Sequence, residues 1–168
     1  MKTMKRPLVV WAAVWTLGLL SSAMADPCPD GTLAEAAVSR YLTAMQNHQF
    51  DAAYDDVTST MTDGKGRGDW AALQKLFYEG GEVNIFGIDT RAAQSVDGDA
   101  ACASRAVVPN VLKSRDKFNN QGITEFEIYT LVLDDGVWRI DAQETLFEQA
   151  DVDRYFPGEK LPELRDQY

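Results

Sequence analysis

Residues 123–144 read ITEFEIYTLVLDDGVWRIDAQE and contain two β-strand patterns around a tight turn. Successive side chains of a strand point to opposite faces. The first strand, 123–133, therefore has two sets: Phe126, Ile128, Thr130 and Val132 on one face, and Glu125, Glu127, Tyr129 and Leu131 on the other. Asp134-Asp135-Gly136 is typical of a hairpin turn. The second strand, 137–144, likewise has two sets: Trp138, Ile140 and Ala142, opposed to Arg139, Asp141 and Gln143.

Two more strand patterns precede this hairpin. The first runs through Val83, Ile85, Phe86 and Ile88, and the second covers 101–112 after the turn signal at 96–99. A polar loop, 114–122, leads into the strand at 123. Four long strands joined by hairpins predict a curved antiparallel sheet.

Helical periodicity dominates the chain before residue 80. A capping-box pattern, Thr32 to Glu35, opens a helix over 33–47, and apolar residues from Phe50 to Met61 predict a second helix. Asp69 is the expected cap of a third, which carries Trp70, Leu73, Leu76 and Phe77. A further capping-box pattern, Thr145 to Glu148, predicts a short helix that ends before Pro157, and we expect 158–168 to be loosely ordered. Three helices before the sheet can cover one of its faces, so the predicted class is α+β, a cone of helices on a sheet of about four strands.

The amino terminus has the pattern of a cleavable export signal. Lys2, Lys5 and Arg6 precede an apolar run over 8–20, and small residues lead to a predicted cleavage between Ala25 and Asp26. A run of about 13 residues is short for a bilayer core of about 30 Å, which argues against an uncleaved anchor. The sequence therefore predicts a protein that works in the periplasm or is secreted, with no stable membrane insertion after cleavage.

The predicted organisation is a signal at 1–25, a short segment at 26–32, one domain at 33–147, and a helix and tail at 148–168. The predicted signal contains three of the 16 basic residues and none of the 26 acidic ones. Residues 26–168 therefore contain 13 basic and 26 acidic residues, a side-chain charge of −13. Nucleic acid and anionic membrane surfaces repel such a chain, and neither is an expected partner.

Two cysteines, Cys28 and Cys102, remain after the signal. An oxidising compartment permits a disulfide between them, which would tie the amino-terminal segment to a strand. Two unpaired buried thiols are the alternative. Their spacing does not suggest a metal site, and with His48 as the single histidine no metal, cofactor or Cys-His nucleophile is expected.

The chain resembles the nuclear transport factor 2-like superfamily, also called cystatin-like or SnoaL-like, which includes ketosteroid isomerases, polyketide cyclases and scytalone dehydratase. The resemblance spans about 33–147 and rests on two stretches. One is the helical pair, VSRYLTAM at 38–45 with FDAAY at 50–54, and the other is the hairpin YTLVLDDGVWRI at 129–140. The resemblance implies a cone that members use as an enzyme, a receptor or an oligomerisation module.

Isomerase-type members use a carboxylate that faces a tyrosine, and the candidate catalytic residues here are Asp55 and Tyr129. The dehydratase-type members work through histidine, whereas His48 lies in a polar turn where we expect it to be exposed and inert.

Three functions are compatible with the sequence. The first is a binding or accessory module for a small apolar ligand or an envelope protein, with a pocket lined by Tyr41, Tyr54, Phe77, Tyr129 and Trp138. Within that set we expect Trp138 in the core and Tyr41 and Tyr54 in the pocket wall. The second is an isomerase- or cyclase-like enzyme, which requires a buried acid of raised pKa beside a tyrosine. The third is a structural or oligomerisation module that uses the open face of the sheet, for example in a homodimer.

Overall fold

The computed structural model describes residues 27–28, 30–96 and 102–162. The predicted signal peptide, its cleavage site at Ala25 and Asp26, and most of the predicted turn at 96–99 lie outside this part of the chain. No helix within it is long and apolar enough to cross a bilayer.

The described residues form four α-helices and one four-stranded antiparallel sheet, which confirms the predicted α+β class. The helices are α1 (Thr32–Gln46), α2 (Phe50–Ala53), α3 (Arg67–Gly81) and α4 (Gln149–Tyr155). The strands are β1 (Asn84–Thr90), β2 (Arg105–Arg115), β3 (Ile123–Asp134) and β4 (Val137–Thr145), and they lie in chain order in the sheet.

The second helix is much shorter than the periodicity predicted. It ends at Ala53, one 3₁₀ turn follows over Tyr54–Asp56, and Val57 is extended. Val57 forms a parallel bridge with Ile140, and the Thr58 amide donates to the Ile140 carbonyl at 2.9 Å. The chain leaves the helix because its backbone pairs with the edge strand β4.

Both predicted capping boxes are wrong. Thr32 is the first residue of α1, Gly31 occupies the cap position and no side chain caps the helix. The Glu35 carboxylate instead accepts the amide of Ala93, far along the chain, at 2.9 Å. Glu148 precedes α4, which also has no side-chain cap. The third helix begins at Arg67 with Gly66 at the cap position, so Asp69, the expected cap, lies within the first turn.

Two apolar clusters cover the two faces of the sheet. The cluster between helices and sheet contains Ala106, Val108, Tyr129, Leu131 and Ile140 from the strands, together with most buried residues of α1. The cluster on the opposite face packs Val107, Val111, Phe126 and Ile128 against Val152 and Phe156 from the carboxyl-terminal segment. We call these the helix face and the far face. The predicted alternation along β3 is confirmed by this division.

The carboxyl-terminal segment is more ordered than expected through residue 162. The Gln149 side chain donates to the Glu159 carbonyl and accepts from the Leu161 amide, both at 3.0 Å. Phe156 packs edge-to-face on Phe126, with 5.0 Å between ring centroids. Residues 156–162 and α4 therefore cover part of the far face.

The predicted disulfide between Cys28 and Cys102 is confirmed. The Cys28 amide also donates to the Ala93 carbonyl at 2.9 Å, and Pro27 bridges to Gln94. The segment before α1 is thus attached to the sheet region by covalent and hydrogen bonds.

Candidate functional site

A buried carboxyl lies on the helix face of the sheet, at Glu127 in β3. The neighbours Phe126 and Ile128 point to the far face, so Glu127 points into the cone with Tyr129 and Leu131. It is only 2% exposed. Carboxyl groups are rarely buried unless hydrogen bonds or charges compensate, so its surroundings decide what it can do.

Three side chains donate hydrogen bonds to Glu127. Asn110 lies directly opposite on β2, and its Nδ2 is 3.2 Å from Oε2. The Tyr129 hydroxyl, two residues along the same face, donates to Oε2 at 2.8 Å. Gln143 Nε2 on β4 donates to Oε1 at 2.7 Å. Both carboxyl oxygens are therefore partnered, and all three donors are neutral.

A β-bulge brings Gln143 to this site. Leu131 pairs with Ile140 but Thr130 pairs with Ala142, which leaves Asp141 as an extra residue on β4. An extra residue reverses the alternation beyond it. Gln143 consequently pairs with Tyr129 on the helix face, whereas strict alternation placed it on the opposite face. That expectation is wrong because the bulge leaves no clear mark in the sequence.

A polar chain across the sheet orients Asn110. Ser39 on α1 donates to the hydroxyl of Thr90 at 3.2 Å, and Thr90 Oγ1 lies 3.5 Å from Asn110 Oδ1. Since its oxygen faces a hydroxyl, the Asn110 amide directs its NH₂ group towards Glu127.

The electrostatics follow from burial. Burial raises the pKa of Glu127, hydrogen bonds from Tyr129, Asn110 and Gln143 oppose that effect in part, and the nearby Glu125 adds to it. Burial and the Glu127 charge raise the pKa of Tyr129 as well, so its hydroxyl stays protonated and donates. The arrangement can hold a proton on a carboxyl at a pH where an exposed glutamate has lost it.

Two further tyrosines lie near the acid. Tyr41 packs edge-to-face on Tyr129, with 6.3 Å between centroids. Tyr78 of α3 has its pKa raised to about 12 by burial and by Glu127. Together with Tyr129 they give the acid an aromatic surround on the helix side.

Of the two catalytic candidates, Tyr129 is at the site and Asp55 is not. Asp55 is exposed and paired with Arg67, and the hydrogen bond from Arg67 lowers the pKa of that carboxyl. An acid of lowered pKa on the surface lacks the burial that the isomerase-type arrangement needs.

The five residues expected to line a pocket are not all together. Tyr41 and Tyr129 are buried beside Glu127, but the Tyr54 hydroxyl donates to the Lys65 carbonyl at 2.9 Å and its ring packs on Trp70. Phe77 is 59% exposed on α3. Trp138 is partly buried at the edge of the helix-face cluster. Tyr41 is therefore deeper than Trp138, the reverse of the expected order.

Sequence reasoning missed Glu127, Asn110 and Gln143 as site residues. The available signal was an acid on the same strand face as Tyr129 and Leu131, because a charged residue within an apolar set marks either an edge or a site. Among residues 27–28, 30–96 and 102–162, no group of three His, Cys, Asp or Glu side chains could hold a metal ion. His48 is exposed and lies against Phe50 and Tyr78.

No family model matches the chain, and no curated protein is significantly similar to it. Solved structures do share its fold. A domain of unknown function with a cystatin-like fold from Nostoc punctiforme has a TM-score of 0.50 and 13% identity over 73% of this chain and 81% of that one. The fold is cystatin-like.

Two other structures are similar to this cystatin-like domain at lower TM-scores. A ketosteroid isomerase-like protein from Erwinia carotovora has a TM-score of 0.48 and 19% identity over 71% of this chain and 98% of that one. Bd1075 of Bdellovibrio bacteriovorus has a TM-score of 0.46 and 9% identity over 65% of this chain and 38% of that one. The match thus spans less than half of the Bdellovibrio protein.

Proposed function

We propose that this cystatin-like domain is an exported binding module that holds a small, mostly apolar ligand inside the cone, with the ligand's polar group at Glu127. The observation that carries the proposal is the buried carboxyl in contact with Asn110, Tyr129 and Gln143. Ligand sites combine an apolar lining with a few converging polar groups. Here Tyr41, Leu131 and Ile140 are the buried apolar neighbours on the same face, against which the apolar body of a ligand would have to pack.

A ligand would reach the Glu127 carboxyl past the Gln143 side chain. Glu127 and Tyr129 are 2% and 1% exposed, whereas Gln143 is exposed and covers Oε1 of the acid. Rotation of that one side chain frees an acceptor that a ligand hydroxyl can take. An interior acid of this kind favours a small ligand over a segment of an envelope protein, which would need the cone to open.

Binding of 2-naphthol, an apolar bicycle with one hydroxyl, tests this function by fluorescence titration. We expect saturable binding to the wild type. Gln143→Ala should bind more tightly because the competing amide is gone, and Glu127→Leu should bind about tenfold more weakly because the acceptor is lost. Tyr54→Phe is the matched control, since it removes one hydroxyl outside the site, and it should bind as the wild type does. Equal affinity in all four proteins, or no binding to any, would reject the proposal.

A second candidate is an acid–base enzyme. The specific observation in its favour is an acid of raised pKa within 2.8 Å of a tyrosine hydroxyl, the combination expected for proton abstraction next to a carbonyl. Exchange of the α-protons of 2-tetralone in D₂O, followed by NMR, measures such an activity. A rate above buffer that Glu127→Gln abolishes would support the enzyme, and a rate equal to buffer would exclude it for this substrate.

Export is part of the proposal. The amino-terminal pattern over 1–25 supports it, as does the disulfide, because disulfides persist in oxidising compartments. The ligand would then come from the periplasm or the surroundings of the cell.

A further inference from the structure

A cavity lies on the far face of the sheet, away from Glu127. Its volume is about 500 Å³, within the range of ligand pockets. Val111 and Phe126, both buried, line it together with Ile88 and Pro162 of the carboxyl-terminal segment. Part of the lining of this cavity is therefore apolar.

The rim of the same cavity is cationic. Arg91, Lys113 and Lys160 line it, with Asp89 and Glu159 as the acidic members. Arg91 Nη2 contacts both acids, at 2.8 Å to Asp89 and 3.3 Å to Glu159. Both carboxylates of the rim are thus already engaged by one guanidinium.

Three donors of the rim have no acceptor within the part of the chain that the structure describes. Arg91 Nε is buried and has no hydrogen-bond partner among the described residues. Five lysines lie in the described residues, and three of them, at 65, 75 and 117, make an ion pair, a hydrogen bond or a ring contact. Lys113 and Lys160 make no such contact within the described part of the chain, and both line this cavity.

This concentration of free cations stands against the charge of the chain, which is −10 overall. Acidic partners are abundant on such a surface, yet these two lysines and the Nε of Arg91 pair with none among the described residues. Lys113 and Lys160 are exposed, whereas Arg91 Nε is buried. A buried charged donor without an acceptor is costly, and an acceptor supplied from outside removes that cost.

We propose that this far-face cavity binds a small organic carboxylate with an apolar body. A carboxylate can accept a charge-assisted hydrogen bond from the guanidinium Nε and is attracted by both ammonium groups. The body of the ligand then lies against the apolar part of the lining, where Ile88 and Pro162 are half-buried. Inorganic phosphate would satisfy the cations but make no apolar contact.

Octanoate, octanol and inorganic phosphate are the probes that test the inference, with binding followed by calorimetry and by amide shifts of the ¹⁵N-labelled protein. We expect octanoate to bind and to shift amides in 87–89, 111–113 and 124–126, with octanol and phosphate each at least about tenfold weaker because each lacks one half of the match. The double variant Lys113→Ala/Lys160→Ala should lower octanoate affinity about tenfold or more. Lys75→Ala, which removes the same kind of charge on α3, should leave it unchanged.

Several outcomes would overturn the inference: no saturable octanoate binding, equal affinity of octanol and octanoate, or the same loss in Lys75→Ala as in the double variant. Dispersed amide spectra of each variant establish that it is folded. The Glu127→Leu variant distinguishes octanoate binding in the far-face cavity from binding at Glu127. Octanoate should bind this variant with the same affinity as the wild type. Loss in Glu127→Leu with retention in the double variant would assign the carboxylate to the cone instead.

Discussion

Glu127 combines two opposing effects within a few ångströms. Burial among Tyr129, Leu131 and Ile140 disfavours its charged form, while three neutral donors favour it. The donors offset only part of the burial effect, so the pKa is raised. Because no cation contacts the carboxyl among the described residues, the folded protein holds a proton there more tightly than the unfolded chain does.

The pH dependence of stability follows from that difference. A carboxyl of raised pKa contributes stability that is fully present below its unfolded pKa, about 4.3, and that is lost as the pH rises through the folded pKa. The Glu127→Gln variant has no such ionisation. We expect the free energy of unfolding of the wild type, relative to Glu127→Gln, to fall as the pH rises from about 4.5 towards 8. Urea denaturation of both proteins across this range measures it, and parallel pH profiles would contradict the raised pKa.

Comparison of Glu127→Leu with Glu127→Gln separates the effect of the charge on stability from the effect of the hydrogen bonds. Glutamine keeps an oxygen for Asn110 and Tyr129, and the Gln143 amide can rotate to accept from its new NH₂ group. Leucine leaves the buried donors Asn110 and Tyr129 without an acceptor, whereas the exposed Gln143 can donate to water. We therefore expect a loss of about 2 kcal/mol or more at every pH in Glu127→Leu, and little or no loss in Glu127→Gln at pH 7. Urea midpoints at constant slope give both values, and equal losses in the two variants would show that the hydrogen bonds do not matter.

At the scale of the elements, the sequence predicted β3 well and β4 less well. Alternation of apolar and polar residues placed Glu127 and Tyr129 on one face because β3 is regular from 123 to 130. Gln143 was assigned to the wrong face because of the bulge at Asp141. Thr58 supports this bulge through a 2.7 Å hydrogen bond to Asp141 and through its backbone bond to Ile140. Residues 83 positions apart in sequence thus determine which side chain reaches the site.

The helices show the same limit. Apolar spacing alone extended the second helix to Met61, but the backbone of Val57 and Thr58 pairs with β4 instead. Local periodicity describes one face of a segment and contains no information on an edge strand that offers hydrogen bonds. Asp55 lies on the short 3₁₀ turn at the surface, paired with Arg67 and away from Tyr129, so its catalytic role stays a prediction without support from the geometry.

The β3–β4 turn was predicted from Asp134-Asp135-Gly136, and its backbone explains the choice of residues. Asp135 and Gly136 both have positive φ, 48° and 78°, as a two-residue turn that matches strand twist requires. Gly136→Ala should destabilise by about 1–2 kcal/mol because alanine is strained there. The control is Gly80→Ala, within α3 and with no atom near an added Cβ, which should stabilise by up to about 1 kcal/mol. Thermal or urea unfolding measures both, and the same sign in both variants would contradict the argument.

At the scale of the molecule, both sheet faces are partly occupied. The helices cover one, and α4 with residues 156–162 packs on the other through Val152 and Phe156. A homodimer through the sheet stays a prediction, and its interface would have to include this carboxyl-terminal segment. The far face is therefore not the fully open face that the sequence predicts, because Val152 and Phe156 pack on it.

Export makes a prediction for the whole chain. If residues 1–25 act as a signal, protein produced in an exporting host should begin at Asp26. Intact mass and terminal sequencing measure this directly. Recovery of the uncleaved chain in the membrane fraction would contradict it, and a variant with Ala23 and Ala25 both changed to Leu should accumulate uncleaved, as a control for the cleavage site.

The disulfide decides how firmly the segment before α1 is held. It closes a loop of 74 residues in sequence separation, and constraint of the unfolded chain by such a loop is worth about 4 kcal/mol on the chain-entropy estimate. The Cys28–Ala93 backbone bond and the Pro27–Gln94 bridge do not depend on the disulfide bond itself, so we expect the reduced protein to fold but to unfold at a lower urea concentration. Cys28→Ser/Cys102→Ser should behave like the reduced wild type, and reductant should not affect it further. If oxidised and reduced proteins had the same midpoint, the bridge would position the segment without stabilising the fold, because any constraint on the unfolded chain would be offset in the folded one.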